Sequence, residues 1–262
     1  MRVLIAGAAG RIGRTVAEGL SELGHEVRGL DLLPPPADHC ALGTVVGDCT
    51  EPAVVAQAVA GVDAVVHLAG RPGEAPLAEE LASHVTTTAT LLDAMVAAGV
   101  RRIAYASSNH AVGLHERTER LGIDVRPRPD TFYGAAKVAA EGLLSLYADR
   151  ADIEAVSMRI GSFLDRPETE RALATWLSPG DCVRMVEAAV TAPDVAYTVL
   201  YGISANTRAW WDLEPGRAIG YDPVDDAEQF AADIPVRHED AAENARVGGP
   251  FATLPEPPSS VG

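Results

Sequence analysis

The chain lacks most features of secreted, metal-binding and membrane-spanning proteins. It has three cysteines in 262 residues, and their positions, Cys40, Cys49 and Cys182, show no metal-ligand spacing. A small, uneven number of cysteines favours structural thiols in a reducing compartment. No apolar run approaches the ~20 residues of a membrane helix, and the N-terminal stretch has no h-region or cleavage site of a signal peptide. We therefore expect a cytoplasmic protein with no metal site and no membrane partner.

Basic residues are also scarce. The 21 Lys and Arg residues face 37 Asp and Glu residues, and the net charge is −16. Nucleic acids and anionic membrane surfaces both require basic patches, so neither is an expected partner. The charge predicts a solvated acidic surface, and an anionic substrate would need a local arginine. Apolar residues make up 47% and aromatic residues 5% of the chain, a composition typical of an α/β protein.

Short apolar runs alternate along the chain with longer helical patterns. Strands are predicted at residues 2–6, 25–31, 43–48, 63–70, 101–108, 153–160 and 198–204. Helices are predicted at residues 12–23, 77–98 (in two pieces), 133–148 and 180–191, the last after a cap-like Ser178-Pro179. This alternation predicts an α/β fold with a doubly wound parallel sheet of the Rossmann type and a small C-terminal substrate-binding part.

The first strand runs directly into a glycine-rich turn. Gly7, Gly10 and Gly13 are spaced three apart, and Arg11 and Ile12 open the following helix. Glycines at this spacing let the backbone turn tightly and approach a pyrophosphate, and the helix N-terminus offers free N–H groups. Close packing alone also uses such turns, but the flanking strand and helix favour dinucleotide binding.

Two acidic residues follow the next strands. Asp31 stands where a carboxylate accepts hydrogen bonds from ribose hydroxyls and repels a 2′-phosphate, which favours NAD over NADP. A capping role is the alternative for Asp31, and Arg11 and Arg28 leave NADP open. Asp48 is placed either to meet the adenine or to form a turn.

A tyrosine and a lysine four residues apart share a face of the helix predicted at 133–148. An ammonium at Lys137 would favour the phenolate of Tyr133 and lower its pKa from ~10, as a general base requires. This spacing alone is common on protein surfaces. Ser108, however, ends an upstream strand, where its hydroxyl can bind a reacting oxygen.

This set resembles the extended branch of the short-chain dehydrogenase/reductase superfamily (the NAD-dependent epimerase/dehydratase family), over most of the chain to about residue 230. Five runs are similar to uronate dehydrogenases, at residues 107–113, 128–137, 159–163, 171–181 and 201–212. The resemblance implies oxidation of glucuronate or galacturonate at C1 to the aldarolactone, with NAD as acceptor. It also implies a homo-oligomer.

The resemblance assigns a role to each site residue. Tyr133 takes the proton of the anomeric hydroxyl, Lys137 holds the nicotinamide ribose, and Ser108 orients O1. Ring hydroxyls are bound by Asn109 and His110, Ser162 lies beside substrate and cofactor, and Arg171 binds the C6 carboxylate through a bidentate pair. The cofactor is held by Gly7, Gly10, Arg11, Ile12, Gly13, Asp31, Leu32, Asp48, Cys49, Leu68, Ala69, Gly70, Tyr133, Lys137 and Ile160.

Plainer interpretations remain for several of these residues. Asn109 could cap a turn, His110 could be a satisfied half-buried imidazole, and Arg171 could pair with Glu168 or Glu170. Other residues are expected only to pack, namely His67, Trp176, Trp210 and Trp211. We predict one domain over residues 1–247 with substrate-binding elements mainly in 161–230, a loop at 115–130, and a disordered Pro/Gly/Ser-rich tail at 248–262.

The chain also departs from the family pattern. Arg71-Pro72-Gly73 replaces a small polar residue after the fourth strand, and His84 stands where an asparagine is usual. A related branch oxidises glucose 6-phosphate, and Arg71 with Arg171 would suit its phosphate. The further alternatives are a nucleotide-sugar epimerase or dehydratase, which usually needs a larger C-terminal part, and a non-enzymatic dinucleotide sensor, which commonly lacks the Tyr/Lys pair.

Overall fold

A seven-stranded, all-parallel sheet forms the centre of the fold. The computed structural model describes residues 1–34, 43–117 and 120–254. The order across the sheet is β3-β2-β1-β4-β5-β6-β9. Its strands are β1 (Arg2–Ala6), β2 (Glu26–Asp31), β3 (Val45–Val46), β4 (Ala64–His67), β5 (Arg102–Ser108), β6 (Glu154–Ile160) and β9 (Tyr197–Gly202). A second sheet pairs β7 (Ser162–Phe163) with β8 (Trp176–Leu177).

Helices cover both faces of the large sheet. They are α1 (Arg11–Glu22), α2 (Pro52–Val59), α3 (Leu77–Glu80), α4 (Thr87–Ala98), α5 (Phe132–Ala151), α6 (Ala172–Thr175), α7 (Pro179–Thr191), α8 (Glu214–Ala218) and α9 (Asp240–Glu243). A π-helical turn, Leu81–Thr86, joins α3 to α4, and 3-10 helices span Asn109–Val112, Ala227–Asp233 and Gly249–Thr253. The predicted fold class is confirmed, while α2 and the short helices after residue 200 were not predicted. None of the helices in the three described ranges is long and apolar enough to cross a membrane.

The strands are buried on both faces, which explains why they read as unbroken apolar runs. In β1, Val3 and Ile5 face a core packed against α1 and α7, while Leu4 and Ala6 face a core packed against α2, α4 and α5. The strand order reverses next to β1, so the carboxyl ends of β1 and β4 frame the crevice where ligands bind in such sheets.

Hydrogen-bonding side chains begin the two longest helices. Thr131 Oγ1 accepts the Gly134 N–H (2.9 Å) at the start of α5, and Ser178 Oγ accepts the Asp181 N–H (2.9 Å) at the start of α7. Pro179 occupies the first turn of α7, where a missing N–H costs nothing. The cap predicted at Ser178-Pro179 is therefore confirmed.

Part of the predicted disordered tail is ordered. Residues Gly249–Thr253 form a 3-10 helix, with Val247 and Ala252 buried beside and within it. The Gly248 N–H donates to the Gly113 carbonyl (2.9 Å), and the Val247 carbonyl accepts two side-chain hydrogen bonds. These long-range bonds order a segment whose composition predicted the opposite. The rest of the predicted tail, residues 255–262, lies outside the described residues, as does Cys40; Cys49 and Cys182 are buried, free thiols.

Candidate active site

Two neighbouring cavities lie at the carboxyl edge of the sheet. The larger, of about 710 Å³, is lined from β1, β2, β4 and the turns that follow them. The smaller, of about 230 Å³, lies over the end of β5 and the start of α5. Gly70 and Arg71 line the larger cavity and Pro72 and Gly73 the smaller one, so a single loop after β4 separates them.

The floor of the larger cavity depends on glycine. Gly7 has φ +89°, and a Cβ there would lie 2.7 Å from the Ala69 nitrogen. A Cβ on Gly13 would lie 2.1 Å from the Gly7 carbonyl oxygen. The bare backbone and the start of α1 form a cradle that fits a pyrophosphate. Gly10 lines this cavity, but Arg11 and Ile12 do not. Arg11 donates to the Phe163 carbonyl (3.1 Å), and Ile12 packs on the hydrophobic core.

Asp31 lies on the cavity wall as predicted. Its two carboxylate oxygens accept the N–H groups of Ala9 (2.8 Å) and Leu33 (3.2 Å), and each keeps a free lone pair for a ribose hydroxyl. The Arg28 guanidinium points elsewhere, because it donates to the Ala58 and Ala60 carbonyls (3.1 and 2.8 Å) at the end of α2. The residues around Asp31 therefore favour a ribose without a 2′-phosphate.

The remaining predicted cofactor residues fall into two groups. The larger cavity is lined by Leu32, Asp48, Cys49, Leu68, Ala69 and Gly70. Asp48 also forms a turn, since its Oδ1 accepts both the N–H and the hydroxyl of Thr50 (2.8 Å each). Burial raises the pKa of the Cys49 thiol to about 12, which makes it unreactive. Ile160 packs in the core and lines neither cavity.

Tyr133 and Lys137 lie together at the start of α5. Lys137, the single lysine of the chain, donates from Nζ to the Ala106 carbonyl (2.7 Å) and lies 5.2 Å from the centre of the Tyr133 ring. Burial lowers the pKa of Lys137 to about 7. Burial also raises the pKa of Tyr133 to about 12, although a hydrogen bond with Ser108 partly offsets this rise. Burial and the Glu80 charge raise the Tyr133 pKa, so a lowering of that pKa by Lys137 stays a prediction.

The polar end of β5 faces the smaller cavity. Ser108, Asn109 and His110 all line it together with Tyr133. Ser108 Oγ also accepts the His110 N–H (3.2 Å), and Asn109 Nδ2 donates to the Val247 carbonyl (3.1 Å). His110 Nδ1 lies 2.9 Å from the buried Asp130 carboxylate. These side chains are thus held in place by hydrogen bonds within the protein and still border the cavity.

Arg171 forms no surface ion pair with Glu168 or Glu170 within the described part of the chain. It donates from Nη2 to the Val247 carbonyl (2.5 Å), and its buried Nε has no hydrogen-bond acceptor among the described residues. Burial lowers its pKa. Ser162 shares a hydrogen bond with Thr175 (2.9 Å), and neither Ser162 nor Arg171 lines the two cavities.

Three residues of the smaller cavity were missed by sequence reasoning. Glu74 accepts the N–H groups of Phe132 (2.9 Å) and Tyr133 (3.0 Å), and so holds the start of the catalytic helix. Thr131 caps the same helix, a pattern visible in the sequence. Phe251 packs edge-on against His110, with ring centres 5.1 Å apart, and nothing local marks this contact.

The departures from the family pattern lie around this site. Arg71 forms an exposed ion pair with Glu79, and Pro72 borders the smaller cavity. His84 is buried edge-on against Tyr133, with ring centres 5.1 Å apart. As predicted, the packing residues are buried: His67, Trp176, Trp210 and Trp211. No group of three metal-ligating side chains occurs in residues 1–34, 43–117 and 120–254.

Comparisons with known proteins agree with this geometry. The model of the NAD dependent epimerase/dehydratase family matches residues 3–194. A uronate dehydrogenase of Pseudomonas putida is 36% identical over 255 residues, covering 96% of this chain and 95% of that protein. The crystal structure of an Agrobacterium tumefaciens uronate dehydrogenase variant complexed with NAD has 36% identity and a TM-score of 0.91, with 97% of each chain covered.

A second activity also occurs among the relatives. An NAD-dependent glucose-6-phosphate dehydrogenase of Haloferax volcanii is 37% identical over 251 residues. The match covers 87% of this chain and 95% of that protein. A uronate and glucose 6-phosphate both carry an anionic group at C6.

Proposed function

Because this chain belongs to the NAD-dependent epimerase/dehydratase family, we propose that it oxidises a hexuronate at C1 to the aldarolactone with NAD as acceptor. The observation that carries the proposal is the smaller cavity, which brings Ser108, Asn109, His110 and Tyr133 together beside the glycine-lined cavity. A cavity of about 230 Å³ suits a monosaccharide. The enzyme class is therefore an NAD-dependent oxidoreductase acting on a CH–OH group.

The larger cavity fits NAD. The cradle of Gly7, Gly10 and Gly13 leaves room for the pyrophosphate beside the start of α1, and Asp31 has lone pairs for the adenosine ribose. When bound, NAD supplies the acceptor for the hydride that leaves C1. Lys137 would donate to the nicotinamide ribose.

Tyr133 is the proton acceptor in this scheme. Its phenolate takes the proton from the anomeric hydroxyl while Ser108, which hydrogen-bonds it, orients O1. Lys137, with a pKa of about 7, is charged in a large share of molecules at neutral pH, and that charge favours the phenolate. Asn109 and His110 bind ring hydroxyls from the neighbouring wall.

Arg171 binds the C6 carboxylate. Its buried guanidinium has an unpartnered Nε–H, and a buried cation without a full set of acceptors favours an anionic ligand. Glucose 6-phosphate is the second candidate substrate, supported by the Haloferax relative. Arg71, which would favour a phosphate, is already paired with Glu79 and lines the cofactor cavity. The site therefore supports a carboxylate better.

An assay of the purified protein with NAD tests this proposal. Glucuronate and galacturonate should reduce NAD, followed by absorbance, and glucose 6-phosphate should not. Turnover of glucose 6-phosphate alone would establish the second candidate. No turnover with any of the three sugars, despite measurable NAD binding, would instead indicate a dinucleotide sensor.

Asp31→Asn tests cofactor choice. The amide keeps the shape of the side chain but loses the charge that repels a 2′-phosphate, so we expect about tenfold weaker NAD binding and tighter NADP binding. Fluorescence titration with each nucleotide measures both constants. Asp63→Asn, at the start of β4 and paired with Arg2, is the matched control. An unchanged preference for NAD over NADP would show that Asp31 does not select the cofactor and only holds the turn at Ala9 through its hydrogen bond.

The cell compartment and assembly are also proposed. Two buried, unpaired thiols, Cys49 and Cys182, support a reducing compartment such as the cytoplasm. We also propose a homo-oligomer, as the resemblance to the extended branch of the superfamily implies. Light scattering of the eluted protein would measure the oligomeric state.

A further inference from the structure

A buried carboxylate lies next to the catalytic pair without an assigned role. The Glu80 side chain, at the end of α3, is fully buried, and neither of its oxygens receives a hydrogen bond of good geometry within the described part of the chain. The nearest polar side-chain atom is His84 Nε2, 3.2 Å from Oε2, but this nitrogen also lies 3.2 Å from the Arg71 carbonyl. An unpaired buried carboxylate is costly, and such groups concentrate at functional sites.

The other carboxylates near the catalytic helix are already bonded. Glu141 binds the Arg159 guanidinium through both oxygens (3.0 and 2.9 Å) and accepts the Ser107 hydroxyl. Glu74 holds the start of α5, and Asp130 holds His110. Glu80 differs from these buried carboxylates, because neither of its oxygens has a donor in hydrogen-bonding geometry within the described residues.

Lys137 likewise lacks an ion-pair partner within the described residues. Its Nζ donates to one backbone carbonyl and lies over the rings of Tyr105 and Tyr133, but no carboxylate within the described ranges lies at ion-pair distance. Glu80 and Lys137 are thus two buried groups of opposite charge near the Tyr133 ring, which Lys137 contacts directly and Glu80 approaches through His84. In a poorly solvated interior, such groups interact over longer distances than at the surface.

We propose that Glu80 is the buried counter-ion of Lys137, which keeps the lysine protonated and so sets the pH range in which Tyr133 acts. The proposal rests on the proposed function for its consequence in turnover, but the charge coupling itself does not. Glu80 acts through Lys137 and is therefore a positioning residue. A glutamate–histidine pair at 80 and 84 also explains how the chain replaces the asparagine usual at position 84.

The surrounding charges are consistent with this assignment. The groups that face Glu80 are Arg71 and Glu74 from the loop after β4, His84 from the π-turn, and Tyr133 and Lys137 from α5. Lys137 is faced in addition by Glu141, Tyr105, His67 and His84. Burial and Glu74 raise the pKa of Glu80, while a backbone contact with Ala75 and the charges of Lys137 and Arg71 lower it. Burial lowers the pKa of both histidines to about 3, so neither carries a competing positive charge at neutral pH.

The single lysine makes a direct test possible. Protein labelled with ¹³C-lysine shows one side-chain resonance, which can be titrated in wild type and in Glu80→Gln. We expect the Lys137 pKa to fall by at least about one unit in Glu80→Gln, a tenfold change in proton affinity. Glu80→Asp, which keeps the carboxylate, should restore most of the wild-type value. Asp93→Asn, which removes an exposed carboxylate from the neighbouring helix α4, should leave it unchanged.

Turnover and stability provide independent readouts. Because the ammonium form favours the phenolate, the alkaline limb of kcat against pH should move to lower pH by about one unit in Glu80→Gln. Glu80 also raises the Tyr133 pKa directly, so the acid limb should move to lower pH as well. The Tm should hold or rise, since an isosteric amide removes a buried charge. A merely structural Glu80 would give a lower Tm and no shift of either limb.

A Lys137 pKa that is unchanged in Glu80→Gln would overturn the proposal. The titration needs neither sugar nor turnover, so a failed uronate assay would leave its result standing. Conversely, uronate oxidation with an unchanged Lys137 pKa would support the proposed function and exclude Glu80 as the counter-ion.

Discussion

Tyr133→Phe is expected to lower kcat for the uronate by about 10³-fold, within the range of general-base contributions. The substitution removes one hydroxyl and leaves the ring that packs against His84 and His110. Glu74 still caps the helix, because its hydrogen bonds go to backbone N–H groups. NAD affinity, measured by fluorescence titration, should therefore stay within about twofold of wild type.

Tyr147→Phe is the matched control for this variant. Tyr147 lies on the same helix with its hydroxyl bonded to Asp93 (2.5 Å), away from both cavities. It should keep wild-type turnover. A Tyr133→Phe enzyme that retained most of its activity would show that another group takes the proton.

Arg171→Ala should lower kcat/KM for glucuronate by about 10²-fold, or about 3 kcal/mol of binding to a buried charge. The uncharged parent hexose should lose far less, because it has no carboxylate for the guanidinium. Steady-state kinetics with the two sugars give this ratio. Where the hexose turns over too slowly, calorimetry with the NAD-loaded protein gives the binding constants.

Arg166→Ala controls for the loss of a positive charge near the site. Arg166 is exposed and paired with Asp233 (3.0 Å). Its removal should leave both sugars unaffected. Equal losses on the charged and the uncharged sugar in Arg171→Ala would show instead that Arg171 serves mainly to hold Val247.

The fold was predictable because its signals are local. A buried parallel strand reads as a short apolar run, and the glycine turn and the Tyr133–Lys137 spacing both lie within one or two turns of chain. The short helix α2 was missed, since its apolar residues show little helical periodicity. The sequence analysis did not predict the strand order itself. The observed order and its reversal beside β1 are those of a doubly wound sheet, the predicted fold class.

The substrate side of the site was less predictable, because it depends on contacts between distant segments. Arg171, in a sequence rich in glutamate, suggested a surface ion pair until its bond to Val247 was seen. Glu80 looks like one more acid on an exposed helix, and only burial distinguishes it from Glu79. The pKa of Tyr133 could not be inferred from spacing, because it depends on burial and on the charge of Glu80.

The Val247 carbonyl, which holds both Asn109 and Arg171, has a consequence for biosynthesis. The cofactor cavity is built from residues in the first third of the chain and can begin to form while translation continues. The sugar cavity is incomplete until Phe251 has left the ribosome. A chain truncated before Val247 would thus keep the residues that line the cofactor cavity but lose Phe251 from the sugar cavity.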